Sequence, residues 1–407
     1  MTDQPPAPAV PYRGADITPF YTARIARQAA DFVRAGRTVI PMHFGQPTAG
    51  TPPRALAAAA ETLKRDPIGY VESRELIARL VRHYQDAYGL AIAPERILLT
   101  AGASAGLVTT FAALFNAGDR IALARPGYPA YRNSLKALDR EAIEIDCGVD
   151  CGYRLTAEKL AAAPGPLHGV VLASPANPTG AMLDRAGIAA LAGVCRERGI
   201  RLISDEIYHG ITYGPRATCA LEIDPEAIVI NSFSKLYRMP GWRLGWLVVP
   251  AAVAPRLSAY VGNLFLTPST IAQSAAMAAF DDPDDLSAAV GGYRINRDLL
   301  LRELAAAGVR GLAAPDGAFY LYCDVSHLTD DSLGFCERLL AETGVATAPG
   351  LDFDPVHGNG CIRFSFALTP PEVERAMALV RPWLERQPRR KSGTVSADGG
   401  GLPAGLP

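Results

Sequence analysis

Residues 170–173 (Val-Val-Leu-Ala), 201–204 (Arg-Leu-Ile-Ser), 227–230 (Ala-Ile-Val-Ile) and 243–249 (Arg-Leu-Gly-Trp-Leu-Val-Val) constrain the fold of this chain more than any other feature. The runs are short, centred on apolar and often β-branched residues, and lack the polar alternation of a strand with one wet face. A strand that is apolar on both faces must be covered on both faces. Helical patterns such as 184–198 separate the runs, so the expected arrangement is a parallel sheet with helices on each side, an α/β architecture.

The same alternation extends upstream. Helical spacing marks 22–35, 54–65, 74–88, 104–116 and 130–138, and strand-like runs mark 97–100, 120–124 and 141–145. After about residue 285 the pattern changes to a long helix (286–307), a strand (318–325), a helix (332–342), a strand (361–366) and a final helix (371–385). At 407 residues, two domains are the natural expectation. Residues 44–285 are assigned to a large domain, and 12–43 with 286–386 to a smaller α+β domain. Residues 1–11 read as a flexible arm and 387–407, rich in Gly, Ser, Pro and Arg, as a disordered tail.

The formal net charge of −1 offers no basic field for nucleic acid or an acidic membrane. There is no apolar run long enough to span a bilayer, and the Pro- and Ala-rich start lacks a signal-peptide pattern. Seven scattered cysteines without a Cys-x-x-Cys spacing argue against a disulfide framework or zinc site and fit a reducing, cytoplasmic setting. No metal is expected.

The chemistry gathers where strands end. Lys235 stands in a Ser-flanked turn after the run at 227–230, with Arg243 eight residues on. A lone lysine is usually a solvated charge. One held at a strand end beside a fixed cation has a lowered pKa and suits a carbonyl-attacking nucleophile. Thr100-Ala-Gly102-Ala103-Ser104 joins a strand to a helix, where backbone N–H groups can meet an anion; close packing alone would explain it equally well. Tyr128, in Pro-Gly-Tyr-Pro, can lay its ring against a heterocycle or be a plain core tyrosine. Asn177, in Asn-Pro-Thr-Gly, is turn chemistry with a hydrogen-bonding side chain. Asp205, at the end of an apolar run, needs a cationic partner if buried. Arg363, among apolar neighbours, suits a carboxylate ligand or an internal ion pair. Glu206 and His209 read as supporting residues.

The ordered set of Gly45, Tyr70, the Gly102 turn, Tyr128, Asn177, Asp205, Lys235, Arg243 and Arg363 resembles the class I/II aminotransferase family over about residues 15–385. The resemblance implies the fold-type I architecture and pyridoxal 5'-phosphate (PLP) bound to Lys235 as a Schiff base. It implies that Ala103, Ser104, Ser232 and Arg243 hold the phosphate, that Tyr128 stacks on the ring, and that Asp205 meets the ring nitrogen. Asn177 and Tyr208 would address the phenolic oxygen. Arg363, with Gly45 and Asn177, would take the substrate carboxylate. Tyr70 would reach the phosphate of a neighbouring subunit, making the enzyme a homodimer with shared active sites; the segment after Tyr70 is shorter than the family pattern. The implied reaction moves an amino group between an L-amino acid and a 2-oxo acid, with Lys235, Asp205 and Tyr208 as the catalytic groups. Ile17, Phe20, Asp352 and Phe353 are candidates to line the side-chain pocket, which is expected to suit neutral or apolar amino acids.

Two other readings use the same residues. A carbon–sulfur β-lyase shares the frame and cofactor but differs in reaction outcome. A non-catalytic PLP-binding sensor would need a DNA-binding module, for which the roughly 20 residues before the first helix leave no room. A nicotinamide-dependent dehydrogenase is excluded because no glycine fingerprint opens the sheet.

Overall fold

The computed structural model describes residues 17–65 and 68–390. The proposed arm at 1–11 and residues 391–407 of the proposed tail lie outside the described residues. Gln387–Arg390, the start of that tail, are tied down: the Arg390 N–H donates to the His327 carbonyl, and its guanidinium pairs with Asp330.

The chain opens with helix α1 (Thr22–Arg34), the short strand β1 (Ile40–Pro41), α2 (Pro53–Leu63) and α3 (Arg74–Tyr88). Next come β2 (Ile97–Thr100), α4 (Ala103–Leu114), β3 (Arg120–Arg125), α5 (Pro129–Ala137) and β4 (Glu141–Asp146). α6 (Ala157–Ala162), β5 (Gly169–Ala173), α7 (Arg185–Arg198), β6 (Arg201–Asp205), β7 (Ile228–Ser232) and β8 (Gly245–Val248) follow. These strands form one seven-stranded sheet in the order β2-β8-β7-β6-β5-β3-β4.

Successive side chains of a strand point to opposite faces, and here both faces are apolar. On β6, Leu202 enters the core under α2, α3, α7 and the later α9 (Thr270–Ala279), whereas Ile203 enters the core under α4, α5 and α8 (Ala254–Phe265). β5 does the same with Val170 and Leu172 on one side and Val171 on the other. The caps follow local sequence. Ser73, Asp184 and Ser269 accept first-turn N–H groups of α3, α7 and α9, and Gly89 and Gly199 end α3 and α7 in the left-handed conformation.

Two details differ from the sequence expectation. The run at 243–249 is not another parallel strand: β8 lies antiparallel to both β7 and β2. Residues 233–244 contain only a short 3-10 turn, too little for the crossover that parallel neighbours require. β4 sits at the sheet edge and is only half-buried, so it is not covered on both faces as the inner strands are.

α10 (Pro283–Ala306) leads to a second layer built from β9 (Tyr320–Asp324), α11 (Ser332–Thr343), β10 (Val345–Ala346), β11 (Ala348–Pro349), β12 (Cys361–Ser365) and α12 (Pro370–Glu385). β11, β12 and β9 make an antiparallel sheet, and β1 pairs in parallel with β10. A separate core joins Ile25 of α1 and Met42 to Leu300, Phe335, Phe364 and Trp383.

Gly245 holds β8 against β7 and α4. A Cβ there would lie 2.6 Å from the Asn231 carbonyl oxygen and 3.0 Å from the Ala103 nitrogen, both backbone atoms. Gly245→Ala is therefore expected to lose about 1–3 kcal/mol of stability through overpacking, read as a lower urea midpoint.

Candidate active site

β2, β3, β5, β6 and β7 run parallel and end at one edge of the sheet, where antiparallel β8 begins. Ligands of open α/β sheets bind at that edge. Here the strand ends deliver Ala103 and Ser104, Tyr128, Asn177, Asp205 and Tyr208, and then Ser232, Lys235 and Arg243 into one cavity of about 440 Å3. Arg363, Tyr320, Asp352 and Phe353 enter it from the second layer, and Gly45 and Phe20 from the N-terminal segment.

One end of the cavity is built for an anion. Gly102 stands just before α4 at its N-cap, its φ of +81° favours glycine, and no side chain caps the helix. A Cβ on Gly102 would lie 2.4 Å from the Arg243 Nη2, so glycine lets the guanidinium lie across the helix N-terminus. Arg243 itself has a φ of +52°, a conformation that costs a non-glycine residue and persists where the surroundings enforce it. The hydroxyls of Ser232 and Ser234 are 2.8 Å apart beside it. Helix dipole, open N–H groups and a cation point the same way.

Lys235 extends from the loop after β7 and donates from Nζ to the Gly45 carbonyl at 2.6 Å. Burial, then the positive charges of Arg363 and Arg243, bring its amine down to about 8, against the partial support of Asp205. Asp205 is 2 % exposed and accepts from the Tyr131 hydroxyl at 2.6 Å and the Ile207 N–H at 3.2 Å. Burial raises its carboxyl to about 6 despite those two bonds and Lys235.

Arg363 bonds no carboxylate. Nη1 donates to Asn177 Oδ1 at 2.9 Å and Nη2 to the His43 carbonyl at 2.6 Å, while Nε is buried without a partner. Its guanidinium carbon lies 4.5 Å from the centre of the Tyr320 ring and 4.6 Å from that of Phe353. The Tyr208 hydroxyl bonds that of Tyr320 at 2.7 Å. Gly45 is packed on Tyr320 so closely that a Cβ would lie 1.8 Å from its hydroxyl oxygen.

Tyr70 is not brought to this cavity. It is 81 % exposed on an extended segment anchored to α9, where Thr270 donates to the Gly69 carbonyl and the buried Gln273 holds Val71 and Ser73. Ile17 also lies outside the cavity lining, whereas Phe20, Asp352 and Phe353 line it. Thr18 is held on α5 by Asn133, 3.0 Å from its carbonyl, which leaves Ile17 beyond the rim. Glu206 and His209 are buried supports: Glu206 accepts from Ser204 and the Ala220 N–H, and His209 contacts Tyr88 and the Ser174 carbonyl. Sequence reading missed Tyr131, Tyr320, His43 and Ser234. Ser234 adjoins Lys235 and Tyr131 falls in the same string as Tyr128, so both could have been singled out; the other two gave no local signal. Among the described residues no cluster of metal-ligating side chains occurs, and no helix is long and apolar enough to cross a membrane.

Two solution properties follow from these environments. In the cofactor-free protein, peptide-resolved labelling with an amine-selective reagent should titrate Lys235 with a midpoint near pH 8, far below the ~10.4 of a free lysine side chain; a midpoint above 10 would contradict this environment. Asp205 has the opposite linkage. Its folded value of about 6 exceeds the ~3.9 of an unfolded chain, so stability is lost as pH rises between the two, and the buried charge costs roughly 3 kcal/mol above pH 6. Cofactor-free Asp205→Asn should therefore be more stable than the parent by about that order at pH 7.5 and no more stable below pH 4, as denaturant titrations at both pH values would show.

A family profile described as aminotransferase class I and II matches residues 37–380. The chain is 44 % identical over 381 residues to a valine–pyruvate aminotransferase of Mycobacterium tuberculosis, covering 92 % of this chain and 98 % of that protein. It is 30 % identical to an aspartate/prephenate aminotransferase of Thermus thermophilus, covering 89 % and 95 %. The crystal structure of an aminotransferase from Mycobacterium tuberculosis superposes with a TM-score of 0.90 at 43 % identity, covering 94 % of this chain and all of that one. With its strand ends converging on a lysine, a buried aspartate and two arginines, the chain belongs to the class I and II aminotransferases.

Proposed function

We propose that this aminotransferase works with pyridoxal 5'-phosphate, held by Lys235 as a Schiff base, and passes an amino group between an L-amino acid and a 2-oxo acid. The observation that carries the reading is a half-buried lysine, lowered to about 8, in one cavity with a buried carboxylate and an anion site. The residues fit the cofactor. The uncapped N-terminus of α4 with Arg243 and Ser232 suits its phosphate, and the Asp205 carboxylate, whose buried charge has no cation in hydrogen-bond contact, suits its ring nitrogen. Tyr128 offers its ring beside Asp205, and Asn177 and Tyr208 line the wall where the phenolic oxygen would face. When bound, the cofactor supplies an electron sink for negative charge at the substrate Cα.

The protein does the rest. Arg363, with an unpartnered Nε and a bond to Asn177 that a carboxylate can replace, takes the substrate α-carboxylate near Gly45. Lys235 Nζ, its amine lowered to about 8, removes the Cα proton in its neutral form as general base and later gives a proton back as general acid. Asp205 stays ionised once a cation faces it, because opposite charge reverses the effect of burial.

A second copy of the chain is part of this reading. Tyr70 is held outward with Ile68 and Val71 also exposed, and Leu264, Phe265 and Leu266 at the end of α8 are exposed as well. Apolar surface of this kind is normally covered, and a homodimer would let Tyr70 reach the neighbouring site. The seven unpaired cysteines, five of them buried, support a reducing compartment such as the cytoplasm.

The test is a visible spectrum with Lys235→Ala alongside. The parent should show a cofactor band that changes with an amino acid and returns with a 2-oxo acid. Lys235→Ala should carry no covalent cofactor by intact-mass measurement and lose at least about 10³-fold in transamination. Full turnover in that variant sinks the assignment; pyruvate and ammonia released without an oxo-acid acceptor would favour the β-lyase.

A further inference from the structure

Asp352 does a job that no residue of α1 does for itself. α1 has no capping side chain of its own at its N-terminus. Asp352, 3 % exposed, accepts the Tyr21 N–H on Oδ1 at 2.7 Å, and the Thr22 N–H at 2.8 Å and the Thr22 hydroxyl on Oδ2. A carboxylate on a helix N-terminus is favourably placed, and three donors leave it committed. Arg132 donates to the Asp352 carbonyl, and its neighbour Asn133 holds the Thr18 carbonyl at 3.0 Å. Residues 18–22 thus form a strap fixed at both ends.

Between the anchors, Phe20 lines the cavity with its ring 6.3 Å from that of Tyr128. Phe44 and Phe353 line the same cavity, and the Arg363 guanidinium carbon lies 4.6 Å from the centre of the Phe353 ring. Aromatic rings thus meet the carboxylate clamp, Tyr320 and Phe353 at Arg363, and Phe20 beside Tyr128 lines the same cavity. This chain places three cations in the cavity, Lys235, Arg243 and Arg363, each with a task in the reading above. Its two carboxylates there are Asp205, which faces the cofactor, and Asp352, which its donors already occupy. Among the described residues that line the cavity within one subunit, no unassigned charge remains for a charged substrate side chain, and the cavity must also house the cofactor.

We propose that Phe20 is a specificity-determining residue, that Asp352 is the positioning residue holding it through the strap, and that the substrate side chain admitted there is compact and apolar. The proposal rests on the reading of Arg363 as the clamp for the α-carboxylate.

Calorimetry on the cofactor-loaded enzyme with acetate, isovalerate and succinate tests it, beside kcat/KM for alanine, valine, aspartate and arginine. The parent should bind isovalerate more tightly than acetate or succinate and prefer valine to aspartate and arginine. Phe20→Ala should lose roughly tenfold of the isovalerate-over-acetate preference, and Phe20→Leu should keep most of it. Asp352→Asn should raise KM for valine with kcat little changed and the cofactor spectrum unaltered. A preference unchanged within about twofold in Phe20→Ala overturns the role of the strap. A parent that prefers aspartate or arginine overturns the substrate class. If acetate affinity survives Arg363→Lys intact, the clamp reading fails, and this inference fails with it.

Discussion

A shortage of negative charge in one enclosed space shapes this active site. Lys235, Arg243 and Arg363 share a cavity in which Asp205 is buried and Asp352 is already bonded to three donors. Burial and two neighbouring guanidinium groups make the ammonium form of Lys235 costly, which brings its amine down to about 8 and raises the neutral fraction far above that of a solvated lysine. The same imbalance favours negatively charged groups near Arg243 and near Arg363. An apolar core could be held together by burial alone; this arrangement must be held against electrostatic repulsion.

The scaffold supplies that restraint through close backbone contact. Gly102, Gly245 and Gly45 each occupy a place where a Cβ would collide with Arg243, with β7 and α4, or with Tyr320. Arg238 and Arg243 keep positive φ angles in the loop that carries Lys235. The sheet beneath is apolar on both faces, so its strand ends are rigid platforms on which a misplaced side chain finds little slack. The second layer is joined to this platform through Arg363, whose hydrogen bonds reach Asn177 in the sheet layer and His43 in the N-terminal segment.

Much of this was visible in order along the chain. Lys235, Asp205 and Asn177 each follow an apolar run, and turn or strand-end position is a local property that spacing reveals. The direction of β8 was not visible, because its apolar string reads the same parallel or antiparallel and only the short, helix-free connection decides. The half-exposed edge position of β4 likewise depends on strand order, which no single strand encodes.

The amino-acid sequence by itself determined that the inner strands of the large sheet would be covered on both faces and which reactive side chains would follow them. The tertiary structure alone decided which distant groups tune them. Tyr131 meets Asp205 across 74 positions of sequence, Tyr320 meets Tyr208 across 112, and Asp352 caps a helix that begins 330 residues earlier. Periodicity and turn chemistry act over a few residues. A hydrogen bond between buried side chains depends on how layers stack, and that is settled by packing of the whole core.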